Sequence, residues 1–150
     1  MMDRYTFRGK HIGSGEWLVG DLCQRGDIYI FPPDGLDSYD NYEVDAATVG
    51  QRTGLKDNEG AMLYEGDVVE VNCKEYPMIE DGILGTVAFG EYQHIGAQMD
   101  YPNGDLGFFV EWLGEEKEML RNDILYWTEN GYVKKIGNVH DNPELIKEDA

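Results

Sequence analysis

The fold is decided by the stretch VGQRTGLKDNEG at residues 49–60, which runs into YEGDVV at residues 64–69. The tetrad Asp57–Gly60 supplies polar residues for a bend and ends on a glycine, which tolerates positive φ. Gly66 and Asp67 then open an extended run whose alternate residues form two sets, Val69, Val71 and Cys73 against Val68, Glu70 and Asn72. Because side chains alternate along a strand, we expect the first set in a core and the second partly exposed.

Short extended segments continue outward from this stretch in both directions, separated by turn residues that include many of the 19 glycines. Besides residues 67–73, we predict strands at Trp17–Leu22, Asp27–Phe31, Thr48–Thr53, Ile83–Phe89, Phe108–Leu113, Ile124–Trp127 and Tyr132–Val139. In Phe108–Leu113, the same alternation places Phe108, Val110 and Trp112 in the core. The spacing of the strands is typical of an all-β barrel or sandwich rather than of β-α-β units. The sequence predicts little helix. The candidates are a C-terminal turn at Asn142–Lys147, capped by Asn142 before Pro143, and a weaker one at Glu115–Asn122.

The predicted architecture is therefore mainly β and has two parts. Residues 1–63 would form a short-stranded N-terminal β subdomain. Residues 64–150 would form an SH3-like β-barrel that ends in the C-terminal helical turn. Since no Ser- or Pro-rich linker separates them, we expect the two parts to pack as one unit.

The charge of the chain is strongly acidic. Its 150 residues carry 30 Asp and Glu against 12 Lys and Arg, a formal net charge of −18. Between Lys74 and Lys117 there is no lysine or arginine, but there are Glu75, Glu80, Asp81, Glu91, Asp100, Asp105, Glu111, Glu115 and Glu116. Nucleic-acid affinity comes mostly from cations that displace counterions, so direct nucleic-acid binding is disfavoured, and so is an anionic membrane surface.

The sequence contains few signals that indicate a cellular compartment. No apolar run approaches the roughly 20 residues that span a bilayer, and we expect no secretory signal at the N-terminus. Cys23 and Cys73 form no disulfide framework. We therefore expect a chain that acts in the cytoplasm.

The central stretch and its flanks resemble the YopX family of bacteriophage and prophage proteins. Similar segments are WLVGDL at residues 17–22, IYIF at residues 28–31 and IGNVHDNPEL at residues 136–145. The resemblance implies a mainly β phage protein of the bacterial cytoplasm that forms homo-oligomers. It implies no activity and offers no catalytic residue. The chain departs from the family at Phe7–Gly15 and at Gly90–Asp105, which is longer than the corresponding hairpin loop.

No constellation in the sequence indicates catalysis. His11, His94 and His140 have no metal-ligand spacing with one another or with the cysteines, so we expect no metal and no cofactor. Asp67 is expected to hydrogen-bond nearby backbone N–H groups rather than to act as an acid or base. Gly13–Gly15 is expected to be a turn, since it has no lysine and no following helix pattern.

The long connection at residues 90–105 is the candidate contact site. It contains no lysine or arginine and carries apolar and aromatic side chains, and residues of these types are enriched at interfaces. The predicted contact residues are Tyr92, His94, Ile95, Met99 and Tyr101. The leading hypothesis is a non-enzymatic module that binds other copies of itself, or a host or phage protein. Two alternatives stay open: an acidic decoy for basic surfaces of host DNA-binding proteins, and a small hydrolase or nuclease whose carboxylates hold a metal.

Overall fold

The computed structural model of the chain describes residues 5–33, 39–73, 82–92, 104–113 and 120–146. As predicted, the fold is mainly β, with two antiparallel sheets and one short α-helix in this part of the chain. The chain divides into two compact units, Met1–Gly54 and Leu55–Ala150. The division predicted between residues 63 and 64 stays a prediction.

The first unit is built on strands β1 (Phe7–Lys10), β2 (Trp17–Arg25), β3 (Asp27–Phe31) and β4 (Gly50–Lys56), which are hydrogen-bonded in the order β3-β2-β1-β4. The predicted strand Asp27–Phe31 is confirmed with the same bounds. The strand predicted at 48–53 begins two residues later, because Asp45 caps a 3-10 turn at Ala46–Thr48 by accepting the Ala47 N–H at 3.0 Å. Ile30 and Val44 are buried in this unit.

The second unit contains β5 (Met62–Tyr64), β6 (Asp67–Val71), β7 (Ile83–Tyr92), β8 (Asp105–Trp112), helix α1 (Ile124–Glu129) and β9 (Val133–Asn138). Its four-stranded sheet has the order β8-β7-β6-β9. The apolar alternation predicted for the 67–73 and 108–113 segments is confirmed, since the core contains Val69, Val71, Cys73, Val110 and Trp112. Val68, placed on the partly exposed face by the pattern, is also buried.

The predicted SH3-like barrel is not confirmed. A barrel would require its outer strands to pair, and β8 and β9 lie at opposite ends of the sheet. Among the described residues the sheet is therefore open, and β8 presents an edge.

The strand predicted at Ile124–Trp127 is wrong, because these residues form helix α1. Both Ile124 and Trp127 are buried, and their spacing of three brings them to one face of a helix. Trp127 donates its indole N–H to the Arg121 carbonyl at 2.9 Å, and Thr128 Oγ1 donates to the Ile124 carbonyl at 3.1 Å. These contacts require a helical turn.

The C-terminal helical turn is present in a shorter form, as a 3-10 turn at Pro143–Leu145. Asn142 precedes it as predicted but does not cap it with its side chain. Its Oδ1 accepts the Asn138 N–H at 3.2 Å instead. The other helix candidate, at residues 115–122, lies mostly outside the described residues, and residues 120–122 are not helical.

Candidate protein-contact site

The candidate site lies on the hairpin formed by β7 and β8. The two strands pair antiparallel from Gly85 opposite Trp112 to Tyr92 opposite Asp105. At the inner end the strands lie very close to neighbouring side chains, since a β-carbon at Gly85 would clash with the side chain of Val110. This end of the hairpin is part of the core.

The outer end of the hairpin extends its apolar face beyond the core. After the buried pair Val87 and Val110, the same face carries Phe89 opposite Phe108, and then Leu106. The Phe89 and Phe108 rings meet edge to face, with centroids 5.1 Å apart. Phe89 is 51% exposed and Leu106 is 74% exposed. Exposed neighbouring apolar side chains of this kind are typical of an interaction surface.

The outer edge of β8 is the second feature of the site. Leu113 donates its N–H to the Leu84 carbonyl of β7 at 3.0 Å. Since backbone groups alternate sides along a strand, the odd-numbered residues of β8 bond to β7 and the even-numbered residues point away from it. Val110 agrees with this alternation, because its N–H donates outward to the Asn122 carbonyl at 2.8 Å.

Part of that outer edge is covered by the chain itself. Asn122 occupies both outward groups of Val110, since its side-chain amide also donates to the Val110 carbonyl at 2.7 Å. The segment around Asn122 is held in place by the Arg121 carbonyl, which accepts the indole N–H groups of Trp112 and Trp127. Phe109 also forms an isolated antiparallel bridge with Asp123, so the chain covers the edge at Phe108 as well. Toward the hairpin tip, the described part of the chain supplies no partner for the outward groups of Leu106. The edge is therefore open there.

The opposite face of the hairpin carries Tyr92, one of the predicted contact residues. Its ring stacks on Phe109 with centroids 5.2 Å apart, and the residue is half-buried at the end of β7 rather than in a free loop. Burial, together with the negative charges of Asp105 and Asp123, raises the pKa of the Tyr92 phenol above 10.0. The phenol is therefore neutral at physiological pH.

The other predicted contact residues lie outside the described residues. They are His94, Ile95, Met99 and Tyr101. The residues that sequence reasoning missed are Phe89 and Leu106. Phe89 ends a predicted strand and Leu106 lies beyond the predicted loop, so the sequence indicates a contact role for neither. Both side chains are exposed because the hairpin extends past the core. A local sequence pattern does not show how far a hairpin extends.

The charged side chains on the two hairpin strands are all acidic. Glu91, Asp105 and Glu111 are all exposed on these strands, and the sequence places no lysine or arginine between residues 74 and 117. The two strands themselves therefore carry no cation that could bind phosphate.

The family-like stretch at 57–67 builds a different feature, a polar cluster anchored to β9. Asp57 accepts the N–H groups of Glu59 and Ala61 on one carboxylate oxygen, at 2.9 and 2.8 Å. Its other oxygen accepts the Lys135 N–H at 2.9 Å. Burial on its own would raise the pKa of Asp57, but these three N–H groups and the Lys135 charge outweigh it and lower that pKa below 3.8.

Asp67 completes this cluster. It is fully buried, and its Oδ2 accepts the Tyr64 N–H at 2.7 Å. The same oxygen lies 3.2 Å from Lys135 Nζ, which also donates to the Met62 carbonyl at 3.1 Å. The predicted backbone-bonding role of Asp67 is confirmed. The bonds described for Asp57 and Asp67 hold turns and strands together, so the cluster has the character of a structural anchor.

The remaining features of the described chain are a groove in the first unit and the positions of its possible metal ligands. A groove of roughly 600 Å³ in the first unit has walls of both charges, with Lys10 and His11 facing Asp27, Glu43 and Asp45. The His11 Nδ1 accepts the Ser14 N–H at 3.1 Å, which engages it in the predicted turn. In the described ranges, no three His, Cys, Asp or Glu residues form a group that could hold a metal. No helix among the described residues is long and apolar enough to cross a membrane.

These observations define a mainly β protein with two antiparallel sheets and an exposed apolar hairpin. A family model described as YopX protein matches residues 24–147 of this chain. The chain therefore belongs to the YopX family, as the sequence motifs indicated. No curated protein matches it.

One solved structure is similar to the chain across nearly its whole length. It is the crystal structure of protein EF1440 from Enterococcus faecalis, with 21% sequence identity over 95% of this chain and 97% of that chain. The TM-score is 0.46.

Proposed function

We propose that this chain is a non-enzymatic protein-binding module that forms homo-oligomers through the outer end of the β7–β8 hairpin. The observation that carries the proposal is the joint exposure of Phe89 and Leu106 beside an open strand edge. Exposed edges are normally blocked or covered, because they pair with other strands. An edge left open next to apolar side chains is suited to a polypeptide partner.

Membership in the YopX family supports the biological context in which we propose that the module acts. The module would act as a phage or prophage accessory protein in the bacterial cytoplasm, with no cofactor and no direct binding to nucleic acid or membrane. The proposal also includes an SH3-like barrel for residues 64–150. To close, this barrel would need strand pairings in addition to those between the described strands.

Sedimentation velocity over a hundredfold range of concentration tests self-association. The proposal expects the mean sedimentation coefficient to rise with concentration toward an oligomer. A chain that stays monomeric up to high micromolar concentration, and that captures no partner protein from infected cells, contradicts it.

A second candidate is an acidic decoy that occupies basic surfaces of host DNA-binding proteins. The exposed carboxylates Glu91, Asp105 and Glu111, with no lysine or arginine on their segment, favour it. Attraction between opposite charges is screened by salt, with a Debye length of about 8 Å at physiological ionic strength. Capture of a cationic host protein should therefore weaken steeply as salt is raised. Equal capture at low and high salt contradicts this candidate.

A further inference from the structure

We propose that the groove in the first unit binds an alkylammonium group, which is the chemistry shared by a lysine side chain of a partner polypeptide and by a free aliphatic diamine. The residues that line this groove all belong to the first unit. The site therefore does not depend on the proposed self-association through the β7–β8 hairpin. The proposal follows from the construction of the groove, from its apolar lining and from its charge.

The walls of the groove are tied together by backbone hydrogen bonds. The segment at residues 43–45 bridges the end of β1 to β3, because it forms isolated antiparallel bridges with His11 and Tyr29. Its N–H groups also donate to the carbonyls of Lys10 and Ile28, at 2.8 and 3.0 Å. A site whose walls are already fixed loses little conformational freedom when a ligand binds, which favours affinity.

The groove has the size and the partly apolar lining of a small-ligand site. Its volume of roughly 600 Å³ lies within the range of such sites, about 300–1,000 Å³. Ile12, Ile28, Val44 and Ala46 contribute apolar groups to the lining. Val44 is buried, whereas Ile12 is 58% exposed. An aliphatic chain that lies along these groups removes its own methylene groups from water.

Three carboxylates also line the groove, on Asp27, Glu43 and Asp45. Asp45 uses Oδ1 to accept the Ala47 N–H at 3.0 Å, and the bonds described for it do not involve Oδ2. An ammonium group has three N–H donors and no acceptor, so it can bond to more than one carboxylate at once. A metal ion does not match this arrangement, because no three possible ligands in the described ranges form a group that could hold one.

The two basic residues of the lining are engaged with other groups. Lys10 Nζ lies 5.4 Å from the centroid of the Trp17 ring, which is a cation–π arrangement. His11 Nδ1 lies 3.0 Å from Ser14 Oγ and accepts the Ser14 N–H at 3.1 Å. The carboxylates therefore dominate the charge that the groove presents to a ligand. A cationic group on an aliphatic chain matches both this charge and the apolar lining.

Titration with 1,5-diaminopentane at constant ionic strength, followed by amide NMR, tests the site. The proposal expects saturable shifts at Gly26 and at residues 43–46, which belong to the groove. Pentan-1-ol has the same carbon chain without the charge, and its dissociation constant should be at least about tenfold larger. Equal binding of the alcohol, or shifts that spread over the acidic surface without saturation, overturns the proposal.

The peptide acetyl-Gly-Lys-Gly-amide is the second probe, and it distinguishes the two sources of the alkylammonium group. Saturable binding of the peptide at the groove supports a lysine of a partner polypeptide as the ligand. Saturable binding of the diamine alone supports a free amine. Failure of both probes overturns the site, and it does so whether or not sedimentation shows self-association.

Charge-removing substitutions test the role of the carboxylates. Glu43→Gln and Asp27→Asn each remove one carboxylate from the groove. Asp21→Asn is the matched control, because Asp21 is exposed on β2 and does not line the groove. Each groove substitution should weaken diamine binding about three- to thirtyfold, since partial exposure screens the lost charge-assisted hydrogen bond. Equal weakening by the control reflects overall charge and overturns the site.

A volume-filling substitution tests the groove independently of charge. Ala46→Phe should occupy part of the groove and weaken binding of the diamine, whereas Ala46→Ser should leave it almost unchanged. Amide spectra that keep the dispersion of the parent chain show that both variants fold. Diamine binding that is the same in the two variants contradicts the groove as the binding site.

Discussion

The backbone N–H of Lys135 donates to the carboxylate of Asp57 at 2.9 Å, across 78 positions of the sequence. The bond joins the turn between β4 and β5 to strand β9. Asp57 lies in the family-like central stretch, and Lys135 directly precedes the C-terminal motif at residues 136–145. The bond therefore ties the central stretch to the strand in which the C-terminal motif begins.

Replacing Asp57 with Asn tests this anchor. The amide oxygen can still accept the N–H groups of Glu59 and Ala61, but its NH₂ group would face the Lys135 N–H donor to donor. A buried polar group left without its bond costs about 1–3 kcal/mol, which is the expected loss in the free energy of unfolding from urea denaturation. Glu59→Gln is the control, because Glu59 is exposed and lies 3.8 Å from exposed Lys134. A loss below 0.5 kcal/mol for Asp57→Asn, on the order of a surface change, contradicts the anchor.

The lowered pKa of Asp57 predicts a pH dependence. In the folded chain this carboxyl binds its proton at lower pH than in the unfolded chain, so the unfolded state binds more protons near pH 3.8. Its contribution to stability is complete well above that pH and is lost as pH falls through the folded pKa. The difference in unfolding free energy between wild type and Asp57→Asn should therefore shrink on acidification from pH 7 toward pH 3. A difference in unfolding free energy that grows or stays constant on acidification would contradict the lowered pKa of Asp57.

Adjacent lysines on β9 give a matched pair of substitutions. Lys135 Nζ lies 3.2 Å from the fully buried Asp67 carboxylate, whereas Lys134 contacts only exposed Glu59 among the ion pairs described. Removing one partner of a buried ion pair costs about 3–5 kcal/mol, while exposed pairs contribute about 0–1 kcal/mol. Thermal denaturation should show a large loss of stability for Lys135→Met and almost none for Lys134→Met. Similar melting temperatures for the two variants would show that the Asp67 pair is not structural.

Two glycines of the hairpin should respond differently to the same change. Gly85→Ala would drive a methyl group into the Val110 side chain, and overpacking of this kind costs about 1–3 kcal/mol. Gly107→Ala adds its methyl group where nothing lies within 4 Å. Chemical denaturation should therefore show destabilisation for the first variant only. Equal stabilities would contradict the close packing at the inner end of the hairpin.

Local chemistry in the sequence was sufficient for most of the sheet. The strand Asp27–Phe31 and the core residues Val110 and Trp112 follow from strand-forming residues, period-two alternation and flanking turns. The same reasoning failed at Ile124–Trp127, where residues that favour strands form a helix. There, tertiary contacts prevail over propensity, because the Trp127 indole must reach the Arg121 carbonyl.

The candidate site was harder to predict than the fold. Tyr92 was found from its position in a long acidic connection, but its stacking on Phe109 depends on hairpin register. The exposure of Leu106 depends on how far the hairpin extends beyond the core. The open edge depends on strand order and on where Asn122 covers β8, and these are properties of the assembled sheet.

Amide hydrogen exchange at Leu106, followed by NMR over a range of protein concentrations, tests the central claim most directly. Its N–H group points outward from the β8 edge, so it should exchange fast in dilute solution and become protected as copies associate. The already bonded Val110 N–H serves as an internal reference. Exchange at Leu106 that does not change while sedimentation shows association would contradict the outer end of the hairpin as the contact surface.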